Sequence, residues 1–228
     1  MKKNRMMRLA SVLLVAVLMT TCTISGTFAK YVTEDSADDI ARVAKWGVKI
    51  TPNGAVFEQK YKTDDTTTYT GENSVVSSDT WDVVAPGTGD RMTKVVLSGK
   101  PEVAYKVDYA ATVTLNNWKV GGEEYFPIYF TVNGVTYGHK TCGQVLTNRY
   151  NTIAELIAAV EKAMEDSSKP YGPNEDLSSV TVPEVSWSWP FYTSAANDKL
   201  DTALGDQAAD SNHAVIKIEM TTTVTQID

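Results

Sequence analysis

The thirteen residues Val103–Leu115, "VAYKVDYAATVTL", alternate without a break. Val103, Tyr105, Val107, Tyr109, Ala111, Val113 and Leu115 share one face, and Ala104, Lys106, Asp108, Ala110, Thr112 and Thr114 the other. Successive side chains of a strand point to opposite faces, whereas a helix would scatter these apolar residues around its circumference. The segment is therefore a long strand with one face on a core and one in water. The C-terminal "HAVIKIEMTTTVTQID" repeats the pattern, with Ile216, Ile218, Met220 and Val224 set against Lys217, Glu219 and threonines. Its β-branched residues suit a pleated, half-buried surface. Because this strand runs to Asp228, no wall-sorting tail or C-terminal anchor is expected.

Turn signals divide the rest of the chain into short pieces. Asn133-Gly134 sits between the apolar runs of "YFPIYFTVNGVTY", a strong hairpin signal because both turn positions need positive φ. Pro127 predicts an edge strand or a bulge there, since proline cannot donate to a ladder. Further strands are expected in "AKWGVKIT", "AVFEQKYK", "SVVSS", "MTKVVLSG" and "EVSWSWPFY", separated by turns at Pro52–Gly54 and Pro86–Asp90. Many short strands at this spacing predict an all-β sandwich. Two helices interrupt it. "TIAELIAAVEKAMED" opens with Thr152 as N-cap and Glu155 as its capping-box partner, and Ile153, Leu156, Ile157, Val160 and Met164 form one apolar stripe for docking. "NDKLDTALGDQAAD" predicts a shorter helix or ordered turn with Gly205 as its C-cap.

The N-terminus is of another kind. Lys2, Lys3, Arg5 and Arg8 precede the apolar run Leu9–Met19, and small residues follow, with Thr27 and Ala29 three and one positions before the bond to Lys30. That is the make-up of a cleaved secretory signal, and the apolar run is short of the roughly 20 residues that span a bilayer. Met19, Thr20 and Thr21 before Cys22 are poor for lipid attachment. Residues 1–29 are thus expected to be the signal, 30–42 an acidic N-terminal segment, and 43–228 one domain. The chain from Lys30 keeps 17 basic and 28 acidic residues, a formal charge of −11. Such a surface disfavours nucleic acid and anionic membranes and suits an exported protein. No cofactor is expected, beyond divalent cations held weakly. Cys142, the one cysteine after Lys30, has no internal partner and is expected to be a packed small side chain.

Catalytic chemistry finds little support. His139 and His213 are the only histidines, and they lie far apart without metal-ligand spacing. A pair of His139 with Cys142 is conceivable by spacing, but a polar residue flanking the hairpin explains His139 more simply. The acid clusters at Asp35, Asp38 and Asp39 and at Asp64 and Asp65 lack the calcium-loop pattern, and the "GTGD" after Pro86 lacks the lysine and helix of a phosphate loop. The sequence is read as non-enzymatic. Trp187, Trp189 and Phe191 alternate on one strand and share a face, either as core filling or as a sugar-stacking platform.

"GTFAKYVTEDSADDIARVAKWGV" resembles the N-terminus of secreted Gram-positive proteins processed by the SipW-type signal peptidase, the TasA and camelysin-like biofilm matrix proteins. Gly26, Thr27, Phe28 and Ala29, followed by Tyr31, carry that likeness. "WSWPFYTSAANDKLDTALG" is similar to a Trp-x-Phe…Asp-Thr-x-Leu-Gly element of the same proteins, through Trp189, Phe191, Asp201, Thr202, Leu204 and Gly205, with Trp187 two residues before it. Lys30 departs from the small apolar residue expected first in the mature chain, and no zinc motif accompanies the protease label some relatives carry. The resemblance implies a jelly-roll-like sandwich, secreted to the matrix or cell surface, that assembles with itself or related subunits. Assembly would proceed by donor-strand exchange, through Lys30, Tyr31, Val32 and Thr33 of the mature N-terminus. The function expected is a structural fibre or matrix subunit; the alternative is a glycan- or host-binding surface module.

Overall fold

The computed structural model describes residues 42–52, 56–62, 73–91, 95–167, 170–208 and 213–227. Met1–Val43 and Ala44–Asp228 are separate units, and the second carries every element described. It is mostly β, with two α-helices among the described residues. The strands are β1 (Lys49–Thr51), β2 (Lys60–Tyr61), β3 (Val75–Val76), β4 (Gly89–Arg91), β5 (Val96–Ser98), β6 (Tyr105–Asn116) and β7 (Lys119–Val120). They continue as β8 (Glu123–Glu124), β9 (Tyr129–Val132), β10 (Val135–His139), β11 (Asn148–Tyr150), β12 (Asp166–Ser167), β13 (Val185–Ser188) and β14 (Val215–Gln226). The helices are α1 (Ile153–Met164) and α2 (Ala195–Gln207).

The two alternating segments become β6 and β14, and they pair antiparallel over their whole length, from Asn116↔Val215 to Tyr105↔Gln226. Tyr105, Val107, Tyr109 and Val113 of β6 are buried. On β14, Ile216, Ile218, Met220, Thr222 and Val224 are half-buried while Lys217, Glu219, Thr221, Thr223 and Thr225 are exposed. The short β12 covers two residues on the far side of β6, at Tyr109 and Asp108. A second sheet has the order β11-β10-β9-β13-β4 and is antiparallel except for the β10–β11 pair. The pairs β1–β5, β2–β3 and β7–β8 complete the strands. This is compatible with the expected sandwich.

Both sheets feed the larger core. Val113 of β6, Phe130 and Val132 of β9, Val185 and Trp187 of β13 and Leu156, Val160 and Met164 of α1 meet there, with Trp118, Phe126 and Ile128 from the intervening loops. The helix docks by its predicted stripe, with Ile157 partly buried. Its capping box is complete: Glu155 N–H donates to Thr152 Oγ1 at 3.2 Å, and Thr152 N–H donates back to Glu155 Oε2 at 3.3 Å. A smaller core gathers Leu97, Tyr105, Val107, Tyr109, Leu177 and Val180 at the other end of β6.

Several expectations need correction. Of the strand expected in Ala44–Thr51 only Lys49–Thr51 forms, because Gly47 takes a left-handed φ of 55° that breaks the extended run. Asn133 and Gly134 do form the tight turn, at φ 48° and 81°. Pro127, however, precedes β9 rather than sitting in it, so β9 is a central strand and not an edge. Of the Pro86–Asp90 stretch only the start is a turn; Gly89 and Asp90 belong to β4, which pairs with β13. Gly89 is required there, since a Cβ would meet the Trp187 carbonyl at 2.7 Å. Gly205 lies inside α2, and Ala208 is the C-cap.

Two substitutions test this packing. Leu156→Ala empties a fully buried site beneath α1 and should cost about 2–5 kcal/mol. Thr222 Oγ1 is buried with no hydrogen-bond partner among the described residues, so Thr222→Val should raise stability by about 1 kcal/mol. Urea unfolding midpoints read both, and a Thr222→Val variant weaker than the parent would contradict the second.

Candidate functional site

The expected cleavage residues Thr27, Ala29 and Lys30, the segment Lys30–Thr33 and the acid clusters at 35–39 and 64–65 lie outside the described residues. The structure places the aromatic trio differently from a shared face. Strand β13 ends at Ser188, with Trp187 and Trp189 buried at 3% and 5% exposure and Phe191 49% exposed beyond Pro190. Trp187 packs against Phe57 and Tyr61 and donates its indole N–H to the Val56 carbonyl at 2.9 Å. Trp189 stands edge-on to Trp118. Two of the three rings are therefore core.

The Asp-Thr-x-Leu-Gly residues anchor α2. Leu204 enters the larger core, and Thr202 Oγ1 bonds the Asp198 carbonyl one turn back. Asp201 Oδ1 accepts the Tyr125 hydroxyl at 2.6 Å. The Trp189 indole N–H faces the same carboxylate and completes no hydrogen bond. Burial raises the Asp201 carboxyl against the lowering effect of the Tyr125 bond. Burial and the Asp201 contact together raise the Tyr125 hydroxyl far above its usual value. Gly205 faces open space.

His139 closes β10, the second strand of the hairpin it was expected to flank, and is fully buried. Its Nε2 lies 3.0 Å from the Asn151 carbonyl and its Nδ1 2.7 Å from Thr141 Oγ1. Desolvation holds it below the ordinary histidine value, so the ring is neutral, donating from Nε2 and accepting at Nδ1. Both nitrogens are occupied, and neither serves Cys142. That thiol is buried, with its ionisation pushed up by burial, as a packed side chain requires. Glu124 takes the Ile153 N–H at the start of α1, so this cluster joins β10 to the helix.

What is open to a partner is an edge. The five-stranded sheet ends in two three-residue strands, β11 and β4, whereas β14 is twelve residues long and, among the described residues, pairs with β6 alone. Its first half carries Lys217 and Glu219, ion-paired at 2.9 Å; Met220–Gln226 carries no charge. Long strand edges without charges, prolines or bulges are ready templates for another chain. Beside the start of β14 lies an open groove of about 580 Å³, lined by Val215, Ile216 and Lys217 on one side and by the 76–84 segment on the other. Three consecutive strand residues line it, so the groove meets the strand along its edge and not on one face.

The opposite wall is tied to the core. Its base, Phe57, packs at a tilt of 46° against Trp187, and Glu58 bridges to Val83. Trp81 stands on the rim at 66% exposure, edge-on to His213 with centroids 6.2 Å apart. Sequence reading passed over Trp81, although a tryptophan between two aspartates in a polar stretch is a legible signal.

No protein-family model, curated protein or solved structure matches this chain.

His139 and Asp201 set opposite pH trends. His139, lowered on folding, contributes stability that is full above its unfolded value of about 6.5 and is lost as pH falls through the folded value. Asp201, raised on folding, contributes stability that is full below its unfolded value of about 3.9 and is lost as pH rises through the folded value. His139→Gln should flatten the decline below about pH 6.5, and Asp201→Asn should leave the chain at least as stable as the parent at neutral pH. Urea midpoints across the pH range decide both.

Proposed function

We propose that the protein is a secreted structural subunit of an extracellular matrix or fibre, a jelly-roll-like body to which the N-terminal segment of a neighbouring copy adds as a strand. The observation that carries this reading is the edge of β14, twelve residues long, unpaired on its outer side among the described residues and uncharged from Met220 to Gln226. Main-chain hydrogen bonds along such an edge supply affinity, and alternate side chains set register. A contact between one copy's N-terminus and another copy's edge does not close on itself, so it propagates as a filament.

The N-terminal likeness to SipW-processed matrix proteins supports the same reading, with Lys30, Tyr31, Val32 and Thr33 as the added strand and Tyr31 as its large anchor. The signal peptidase and further copies, or related subunits, are then the partners. The glycan- or host-binding alternative loses its platform, since Trp187 and Trp189 fill the core. Among the described residues, His139 is sealed by Asn151 and Thr141 and does not pair with Cys142.

Deleting Lys30–Asp39 should leave a folded monomer that forms no fibres by electron microscopy. Thr223→Lys with Thr225→Lys, on the exposed face of the uncharged half of β14, should likewise keep the circular dichroism of the parent and stop polymerisation. Fibres that persist in both variants would sink the strand-addition reading.

A further inference from the structure

The rim of the groove beside β14 carries a group of side chains built for a cation. Trp81 is held in place on the surface: its backbone N–H donates to Asp79 Oδ1 at 2.7 Å, and the Ser77 hydroxyl donates to the same oxygen at 3.2 Å. His213 braces the indole edge-on. Asp79 and Asp82 flank the ring in sequence, and both are exposed. Lys217, on the facing wall, is engaged with Glu219. An indole face beside two carboxylates attracts an ammonium group through the ring quadrupole and through charge.

The chain carries a fitting occupant. Cleavage after Ala29 frees an α-amino group on Lys30, so the first mature residue bears two ammonium groups, ahead of the apolar Tyr31 and Val32. Before cleavage the Lys30 nitrogen is an uncharged amide. We infer that Asp79, Trp81 and Asp82 receive the mature N-terminal amine and Lys30 of a neighbouring copy, so that cleavage adds the second of the two charges the groove recognises. The inference rests on the strand-addition reading and adds to it a receptor and a trigger. The amine would sit at the mouth of the groove and the following residues would run along the start of β14, a capture of an amino terminus combined with strand addition. Each exposed contact of this kind is worth a few-fold in affinity, and the attraction weakens with salt as the Debye length shrinks from about 10 Å at 0.1 M to about 3 Å at 1 M.

The test uses the mature chain, Lys30–Asp228, with its native amino terminus, and measures the critical concentration for fibre formation by sedimentation and electron microscopy. Asp79→Asn with Asp82→Asn should raise that concentration about tenfold, and Trp81→Ala, or acetylation of the Lys30 α-amine in the otherwise unaltered chain, about threefold each. Acetylation should add little once both aspartates are replaced, because the two changes remove the same contact. Parent-like assembly of the acetylated chain, or of the double aspartate variant, overturns the inference while leaving strand addition standing. Effects that simply multiply place the amine elsewhere and overturn it as well. An unaltered mature chain that forms no fibres overturns the assembly reading and this inference together.

Discussion

Everything described in this body is referred to the pairing of β6 with β14. Twelve residue pairs hold the two strands in one register, and a slip by one residue would turn every inward side chain to water. The inward face of this ribbon serves two cores. Toward one end, Val113, Ala111, Leu115, Ile216, Ile218 and Met220 meet the five-stranded sheet and α1. Toward the other, Tyr105, Val107, Tyr109 and Val224 close over Leu97, Leu177 and Val180. Thr222, opposite Tyr109, stands where the two meet, and its buried hydroxyl without a hydrogen bond is a local cost of joining two cores on one strand pair.

The same pairing leaves the molecule with a lopsided sheet. On the far side of β6, β12 covers two residues and Tyr171 bridges to a third, Tyr105, with α1 laid across the inward face and Glu161 reaching back to the Val113 N–H. On the outer side of β14 nothing described pairs at all. A soluble protein usually blunts so long an edge. Here the first half is guarded by an ion pair and by the groove wall that Phe57 and Trp187 hold in place, and the second half, among the described residues, by nothing but threonines and glutamine. An edge of that kind, among the described residues, is what supports the proposal that this protein is a building unit.

Local pattern made much of this legible. The period-2 runs of β6 and β14, the Asn133-Gly134 turn and the capping box of α1 are encoded within a few residues each, and each was readable as such. Where the readings missed, the deciding interaction was distant in the chain. Pro127 said only that its own position cannot donate; that β9 begins two residues later and lies between β10 and β13 depends on partners from Val135 onward and Val185 onward. Gly205 reads as a helix stop, but the docking of Leu204 and the Tyr125–Asp201 bond carry α2 past it. Trp187, Trp189 and Phe191 are equivalent by alternation, and the end of β13 at Ser188 separates two core rings from an exposed one.

By itself, then, the sequence determined the two long alternating strands, the Asn133-Gly134 turn, the capped helix α1 and which face of each strand or helix is apolar, and it carries no familiar catalytic or metal pattern, because these follow from spacing along the chain. The tertiary structure alone decided which strand became the long open edge, that His139 is sealed against Asn151 and Thr141, and that Trp81 rather than the Trp187 strand stands at the surface beside a groove. Those outcomes depend on which distant segments cover one another, and burial is a property of the neighbour as much as of the residue.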